Sequence, residues 1–350
     1  MPELSLIVPS KHELHAPPLY HPERPERIDI AIGGLREVGF DLSVMHPELR
    51  GPDILTKVHE GAYVDHIKRA CERGQVYLDP DTYVTEHSFE VALEAACCAY
   101  DAAESIAEGE ELAISLARPP GHHAGRSGRA MGCQTLGFCL FNNAGVAAAR
   151  LLERGIRPVM ILDFDLHHGN GTQEMFWYNP EVVHVDLHDA YEYPGTGWPE
   201  DLGGGAAKGT KVNVPILPES KDDEYAFILE RVMLPLISHF KPRAFVISAG
   251  FDAHLGEGMG YLNLSPSLYR HIGILLRELI RSEGARVVVV LEGGYSSGLR
   301  KGLPSFIKGL TAGGDELIRG SLEEGSRQYE VLRRLKALIE DSLRGLTLDL

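Results

Sequence analysis

Val287-Val288-Val289-Val290-Leu291 is an unbroken apolar run that stops at Glu292-Gly293-Gly294-Tyr295. A strand with an apolar side chain at every position leaves no face for water, so it belongs inside a parallel sheet covered on both sides. Val159-Met160-Ile161-Leu162 before Asp163 repeats the pattern, and Ser5 to Val8, Glu111 to Leu116, Val182 to His188, Lys211 to Ile216 and Ala244 to Ile247 read as further strands. Helical stretches alternate with them: a segment ending at Val38, Glu60 to Glu72, His87 to Glu108, a helix to Arg154 that Asn142 or Asn143 can cap, Asp222 to His239, Ser265 to Glu283, and a charge-laced helix over 322–344. This alternation predicts an α/β fold with a mostly parallel central sheet and helices on both faces. No repeat, low-complexity run or linker interrupts it, and the expectation is one domain over 1–350.

In such sheets, ligands collect beyond the carboxyl ends of the strands. Polar clusters fall there after Leu116, Leu162, Ile247 and Leu291, which predicts one shared cleft. In Asp163-Phe164-Asp165-Leu166-His167 the polar residues alternate with apolar ones, so a strand period puts Asp163, Asp165 and His167 on one side. Asp165, His167 and Asp252 are the oxygen and nitrogen donors that Zn²⁺ takes, and Fe²⁺ or Co²⁺ suits them too. A metal brings bound water to a pKa of about 7. The adjacent imidazoles of His122 and His123 titrate in the range where its proton must be moved. Asp163 and Asn170 can hold the second ring nitrogens, the Asp favouring an imidazolium and the Asn leaving the ring nearer neutral. Tyr295, after two glycines, can bring its hydroxyl to a carbonyl oxygen. Together these groups describe hydrolysis of an amide or ester.

The charge of −16 argues against a nucleic-acid surface, which needs clustered Lys and Arg, and suits a cationic partner such as a lysine-rich tail or a polyamine. Five cysteines without a CxxC pair indicate neither a disulfide framework nor a thiolate zinc site. No apolar run reaches membrane-span length and Met1 to Ser10 does not read as a leader, so the expected compartment is the cytoplasm. His12, His15 and His21 lack ligand spacing and read as surface or rim residues. The carboxylates of the turn from Leu78 to Tyr83 are expected to cap or be solvated. Self-association is left open.

The segments HPERPER, RPPGHHAG, GFCLFNNAGVAA, ILDFDLHHGNGTQ, YPGTG, VISAGFDAH and LEGGY, in this order over roughly residues 15 to 310, resemble the histone deacetylase superfamily and its arginase–deacetylase fold. The resemblance implies Zn²⁺ on Asp165, His167 and Asp252, acid/base work by His122 and His123 oriented by Asp163 and Asn170, and a carbonyl-polarising Tyr295. It implies Asp81 as a rim carboxylate that holds substrate backbone, and Gly137, Phe138 and Tyr193 as walls of a narrow acyl-lysine tunnel. It also implies K⁺ held by backbone carbonyls of Asp163, Asp165, His167 and Leu187 with the Asp186 side chain.

Asn170 stands where nuclear class I members have Asp, which places the resemblance with the class II, acetylpolyamine and bacterial branch. Met259 lies seven residues after Asp252, where polyamine-selective relatives with a gatekeeping carboxylate have Glu, and Glu257 is two residues away. The loop between His123 and Phe138 is longer than usual and contains Cys133 and Gln134. The expected reaction removes acetyl or another short acyl group from acylated amines, foremost acyl-lysine, with acetylpolyamines or other small N-acetyl amines as the alternative. A two-metal ureohydrolase of the arginase kind is disfavoured by His254, two residues after Asp252, and by His168-Gly169. A catalytically silent acyl-lysine binding module is disfavoured because every expected catalytic group is present. His168 is expected to be structural.

Overall fold

A computed structural model describes residues 3–218 and 220–350, so Met1, Pro2 and Glu219 lie outside the account that follows. Its strands are β1 (Glu3–Ile7), β2 (Asp41–Met45), a small antiparallel pair β3 (Tyr77–Asp79) and β4 (Thr82–Tyr83), then β5 (Leu112–Ser115), β6 (Val159–Asp163), β7 (Val182–Asp189), β8 (Lys211–Ile216), β9 (Ala244–Ala249) and β10 (Arg286–Leu291). All but the small pair form one eight-stranded sheet in the order β2-β1-β5-β10-β9-β6-β7-β8. Every pairing in it is parallel.

The helices are α1 (Glu26–Glu37), α2 (Gly61–Glu72), α3 (Ser88–Glu108), α4 (Asn143–Glu153), α5 (Asn170–Met175), α6 (Asp222–Ile228), α7 (Leu234–Phe240), α8 (Pro266–Glu283), α9 (Leu303–Ala312) and α10 (Arg327–Ser342). They cover both faces. In β10, Val287, Val289 and Leu291 join a core with α1, α6 and α8 to α10, while Val288 and Val290 pack in a second core with α2, α3 and α4. That division is the strand period of two expressed in packing. Asn142 caps α4 by accepting from the Gly145 N–H at 2.7 Å. Among the described residues no helix is long and apolar enough to cross a membrane.

The sequence reading differs from the structure in places with physical causes. The single helix expected over Asp222 to His239 is split by a wider turn at Leu229–Met233. Pro235 offers no N–H to the preceding turn, and the wider turn accommodates the gap. The last helix starts at Arg327 rather than near 322, because Ser326 Oγ accepts from Tyr329 N at 3.2 Å and sets the N-terminus there. β2 and α9 were not anticipated: β2 is short and half-exposed, and α9 carries Pro304 and Gly309, so both look like loop until packing holds them.

The loop expected to be surface is folded inward. Glu23, Arg27 and Arg118 have no exposed surface. Arg118 Nε lies 2.8 Å and Arg27 Nη1 3.4 Å from Glu23 Oε1, and the Tyr83 hydroxyl donates to Glu23 Oε2 at 2.7 Å. His15 is a core residue, not a rim one. Its Nδ1 hydrogen-bonds Ser88 Oγ at 2.6 Å, its Nε2 is 3.4 Å from Glu23, and its ring stacks on Tyr83 at 4.3 Å. His12 and His21 are half-buried. Burial works against an ionised Glu23, but Arg118, His15 and Arg27 together outweigh it and hold the carboxyl well below its ordinary value. A carboxyl lowered in the folded state stabilises the fold fully above its unfolded pKa, and that contribution is lost as pH falls. Glu23→Gln leaves two buried guanidinium groups short of a counter-charge and is expected to cost about 3–5 kcal/mol in urea denaturation. Wild-type stability should also fall more steeply than that of the variant below about pH 5. Equal slopes would show that Glu23 is not the group titrating.

Candidate active site

Five adjacent strands, β5, β10, β9, β6 and β7, end on the same side of the sheet. The polar clusters that follow them meet in a cavity of about 270 Å³. β6 itself stops at Asp163, before the polar alternation does. The alternation continues because Asp163 Oδ1 accepts from Asp165 N (3.1 Å) and Asp165 Oδ1 accepts from His167 N (2.9 Å), each carboxylate closing a turn onto the N–H two residues on. Phe164 and Leu166 point into the core. Leu166 N donates to Asp252 Oδ1 at 3.0 Å, which draws the chain after β9 against the chain after β6.

Asp165, His167 and Asp252 are thereby buried with ligand atoms within 4.8 Å of one another. Gly293 N donates to Asp165 Oδ2 at 2.7 Å, and a Cβ on Gly293 would stand 2.5 Å from that oxygen, so only glycine allows this approach. Asp252 Oδ2 accepts no hydrogen bond although it is buried, and lies 3.1 Å from His167 Nδ1. Burial opposes a charge on His167, but Asp165 and Asp252 outweigh it and raise the imidazole to about 10. Two carboxylates and an imidazole with an oxygen left over form a donor set that fits a divalent cation.

The adjacent imidazoles are held differently, as the sequence predicts. His122 Nδ1 donates to Asp163 Oδ2 at 3.0 Å, whereas His123 Nδ1 donates to Asn170 Oδ1 at 2.8 Å. Asn170 is oriented in turn by Ala130 O, which accepts from its Nδ2 at 3.0 Å. Burial works against charge on both rings. At His122 the carboxylates of Asp165 and Asp163 overcome it and raise the pKa well above the ordinary value. At His123 burial prevails, reinforced by His122 and His167, and the pKa falls well below. Neighbouring imidazoles thus favour opposite protonation states, and His123 Nε2 is free toward the cavity.

Tyr295 is 9% exposed and lines the same cavity, its hydroxyl engaged by no described residue. Several residues that position it escaped the sequence reading. Arg27 Nε donates to Gly294 O at 2.7 Å, and its guanidinium lies 4.9 Å from the Tyr295 ring centre. Glu292 Oε2 accepts from Gly121 N (2.7 Å) and His122 N (3.1 Å), so one carboxylate fixes the backbone that carries the histidine pair. The available signal was HPERPER and the Glu of LEGGY, but Glu and Arg at a helix start read as solvated charge.

Gly137, Phe138 and Tyr193 form walls of the cavity, and Asp81 and Met259 also line it. Gly137 adopts φ +54°, and a Cβ there would meet His123 and Tyr193 at 2.5 and 2.7 Å. The loop before Phe138 docks at the mouth, where Thr135 O accepts from the Tyr193 hydroxyl at 3.0 Å. Asp79 is not a solvated turn carboxylate: its Oδ2 accepts from Leu136 N at 3.0 Å and anchors that loop. Glu257 does not reach the place of Met259. Its oxygens accept from Tyr295 N (3.2 Å), Ser296 N (2.9 Å) and Gly298 N (2.5 Å), so it braces the Tyr295 turn. His168 bonds Thr196 Oγ1 (2.8 Å) and Gln173 Oε1 (3.2 Å), and burial lowers it to about 3, so it is a neutral structural group. His254 Nδ1 bonds Ser297 Oγ at 3.2 Å. A second buried group joins Asp163 and Asp186 with His184, which the sequence reading did not include.

Known proteins resemble this chain in sequence and in fold. The profile of the Histone deacetylase domain matches residues 21–310. Histone deacetylase 15 of Arabidopsis thaliana is 36% identical over 83% of this chain and 52% of that protein, so the chain spans about half its length. A probable deacetylase of Archaeoglobus fulgidus is 36% identical over 79% of this chain and 77% of its own. The crystal structure of the HDA15 HD domain superposes with a TM-score of 0.85 at 32% identity, covering 97% of this chain and 96% of that one. With the profile matched over most of the chain and the fold superposing over nearly all of it, the chain belongs to the histone deacetylase family, whose fold it shares.

Proposed function

We propose that this chain is a zinc-dependent amidohydrolase that removes acetyl or other short acyl groups from acylated amines, with acyl-lysine the principal substrate class. One observation carries the reading: Asp165 and His167 of the ligand set, the His123 imidazole with no described partner at Nε2 and the Tyr295 hydroxyl with none line one cavity, and Asp252 with its unpartnered oxygen lies beside Asp165 and His167. Asp165, His167 and Asp252 would hold the ion, and Fe²⁺ or Co²⁺ suits the same donors. Bound there, it would act as a Lewis acid toward the acyl carbonyl and make water more acidic.

The chain's own groups supply the rest. His123, neutral and held through Nδ1 by Asn170, takes a proton from the attacking water at Nε2. His122, held as an imidazolium by Asp163, adds positive charge beside the developing oxyanion. The Tyr295 hydroxyl donates to that oxyanion. Water oxygen bonds to the acyl carbon, the carbon–nitrogen bond breaks, and the proton passes to the departing amine. Phe138, Tyr193 and Met259 offer apolar walls to the alkyl chain, and Asp81 at the mouth can accept from a substrate backbone N–H.

A K⁺ site on the backbone carbonyls of Asp163, Asp165, His167 and Leu187 with the Asp186 side chain is part of the proposal. Its support is electrostatic. Asp163 and Asp186 are buried with carboxylate oxygens within 4.8 Å of one another, and a cation there would offset the repulsion between them.

Assays on an acetyl-lysine peptide, a longer acyl-lysine peptide and acetylputrescine should show hydrolysis of at least one, lost with a chelator and restored by Zn²⁺ or Co²⁺. Unchanged turnover after verified metal removal would overturn the reading. Tyr295→Phe is expected to lower kcat by about 10²–10³ with little effect on KM, as loss of one oxyanion donor does. Hydrolysis unaffected in both Tyr295→Phe and His123→Ala would favour a binding module instead. Metal titration followed by calorimetry should saturate at one tightly bound divalent ion per chain, and Gly293→Ala should weaken that binding about 10–100-fold by crowding Asp165. Two tight equivalents would favour the two-metal ureohydrolase chemistry.

A further inference from the structure

We propose that Glu192 makes this site select acylated amines that carry an ammonium beyond the scissile amide over neutral amides of the same length. The inference rests on the reading of the cavity as an acyl-amine hydrolase and concerns which amines enter it.

The cavity wall carries acidic side chains. Among the described residues that line it there is no Lys or Arg, while Asp81 and Glu192 contribute carboxylates in addition to the buried Asp165. Asp81 is partly committed, its Oδ1 accepting from the Thr82 hydroxyl at 2.9 Å. Glu192 is half-buried, lines the cavity, and takes part in no ion pair or side-chain hydrogen bond among the described residues. A carboxylate that is partly desolvated, lacks a partner and faces a ligand cavity gains most from a cation supplied by the ligand.

Glu192 is also fixed in place. Asp189, at the end of β7, accepts from Tyr191 N at 3.0 Å through one oxygen and from Tyr261 N at 2.9 Å through the other. One carboxylate therefore clasps the loop that bears Glu192 to the loop that bears Met259. Where these loops touch, a Cβ on Gly260 would lie 2.9 Å from Glu192 Cγ, so the Glu192 stem is packed against the neighbouring backbone. Glu257, the acidic residue nearest Met259 in sequence, is turned away onto the Tyr295 turn. Glu192, on the adjoining loop, supplies the carboxylate at that side of the mouth. Independent signs that the cavity takes a ligand are the Tyr295 hydroxyl and His123 Nε2, both on side chains at least nine-tenths buried and both without a described partner.

The chemistry that matches is an ammonium separated by an alkyl spacer from the acylated nitrogen. A diamine or polyamine provides it, and so does a basic side chain next to an acyl-lysine in a peptide. The test compares kcat/KM for N-acetylputrescine and N-butylacetamide, which share the amide and the spacer and differ in the terminal ammonium. A second arm compares acetyl-lysine peptides flanked by Lys or by Ala. The charged member of at least one pair is expected to be preferred by about tenfold or more at low salt, and Glu192→Gln should remove most of that preference. Glu192→Lys should reverse it, and raising the salt should shrink the wild-type ratio.

The salt series on the wild-type protein keeps the proposal testable whatever the variants do to folding. If the pair with the larger preference identifies the diamine, small acylated amines are the substrate; if it identifies the peptide, basic protein segments are. A wild-type ratio near one in both pairs, or a preference that survives Glu192→Gln, would overturn the inference while leaving the hydrolase reading intact. No hydrolysis of any of these compounds by metal-loaded protein would overturn the hydrolase reading, and this inference with it.

Discussion

Asp163, Asp165, Asp186 and Asp252 are all at most 1% exposed where neighbouring strands of one sheet end. Removing a carboxylate from water costs several kcal/mol unless hydrogen bonds and opposite charge replace the lost hydration. Much of the local structure meets that demand. The N–H groups of residues 165, 166, 167, 169 and 293 point at these oxygens, and the imidazoles of His122, His167 and His188 stand beside them. Gly293, the first glycine of LEGGY, leaves the space that a side chain would take from the carboxylate oxygens of Asp165 and Asp252. Asp252 Oδ2 remains without a hydrogen-bond donor, a residual demand that the proposed divalent ion would meet.

Around this core a second set of buried charges gives the site its rigidity. Glu23 joins Arg27 and Arg118, and Arg27 reaches the carbonyl of Gly294, one residue before Tyr295. Glu292 holds the backbone of Gly121 and His122. Both sides of the cavity are therefore fixed by carboxylates that contact neither substrate nor metal in the proposed reaction. Preorganisation of this kind lets a hydroxyl and an imidazole act without reorganising as charge develops. The cavity then changes character along its depth, from charged floor to aromatic wall to acidic rim, and each zone matches a different part of an acylated amine.

The strand signal was strong enough in the sequence to predict the parallel sheet and most helices, because runs such as VVVVL can be stable only when covered on both faces. That Asp165, His167 and Asp252 would meet, with the histidine pair beside them, was legible because all follow strands whose ends must coincide. Other parts were hidden for a common reason. His15, Glu23 and Arg27 look like surface residues when each is considered alone, and become core residues only because their charges meet one another. Asp79 and Glu257 looked free for solvent or substrate, yet both are taken up by backbone N–H groups from loops distant in sequence.

The sequence by itself determined that this chain folds as an α/β sheet with carboxylates, imidazoles and a tyrosine gathered at its carboxyl edge, since periodicity and strand-end placement are local properties. Only the tertiary structure decided how those groups are tuned and what guards them. It sets His122 and His123 to opposite protonation tendencies through Asp163 and Asn170 together with the surrounding carboxylates and burial, sends Glu257 behind Tyr295, and brings Glu192 to the mouth. Such outcomes depend on which charges and dipoles end up a few ångströms apart across loops that are remote in sequence, and electrostatic interactions in a buried site follow distance rather than chain order.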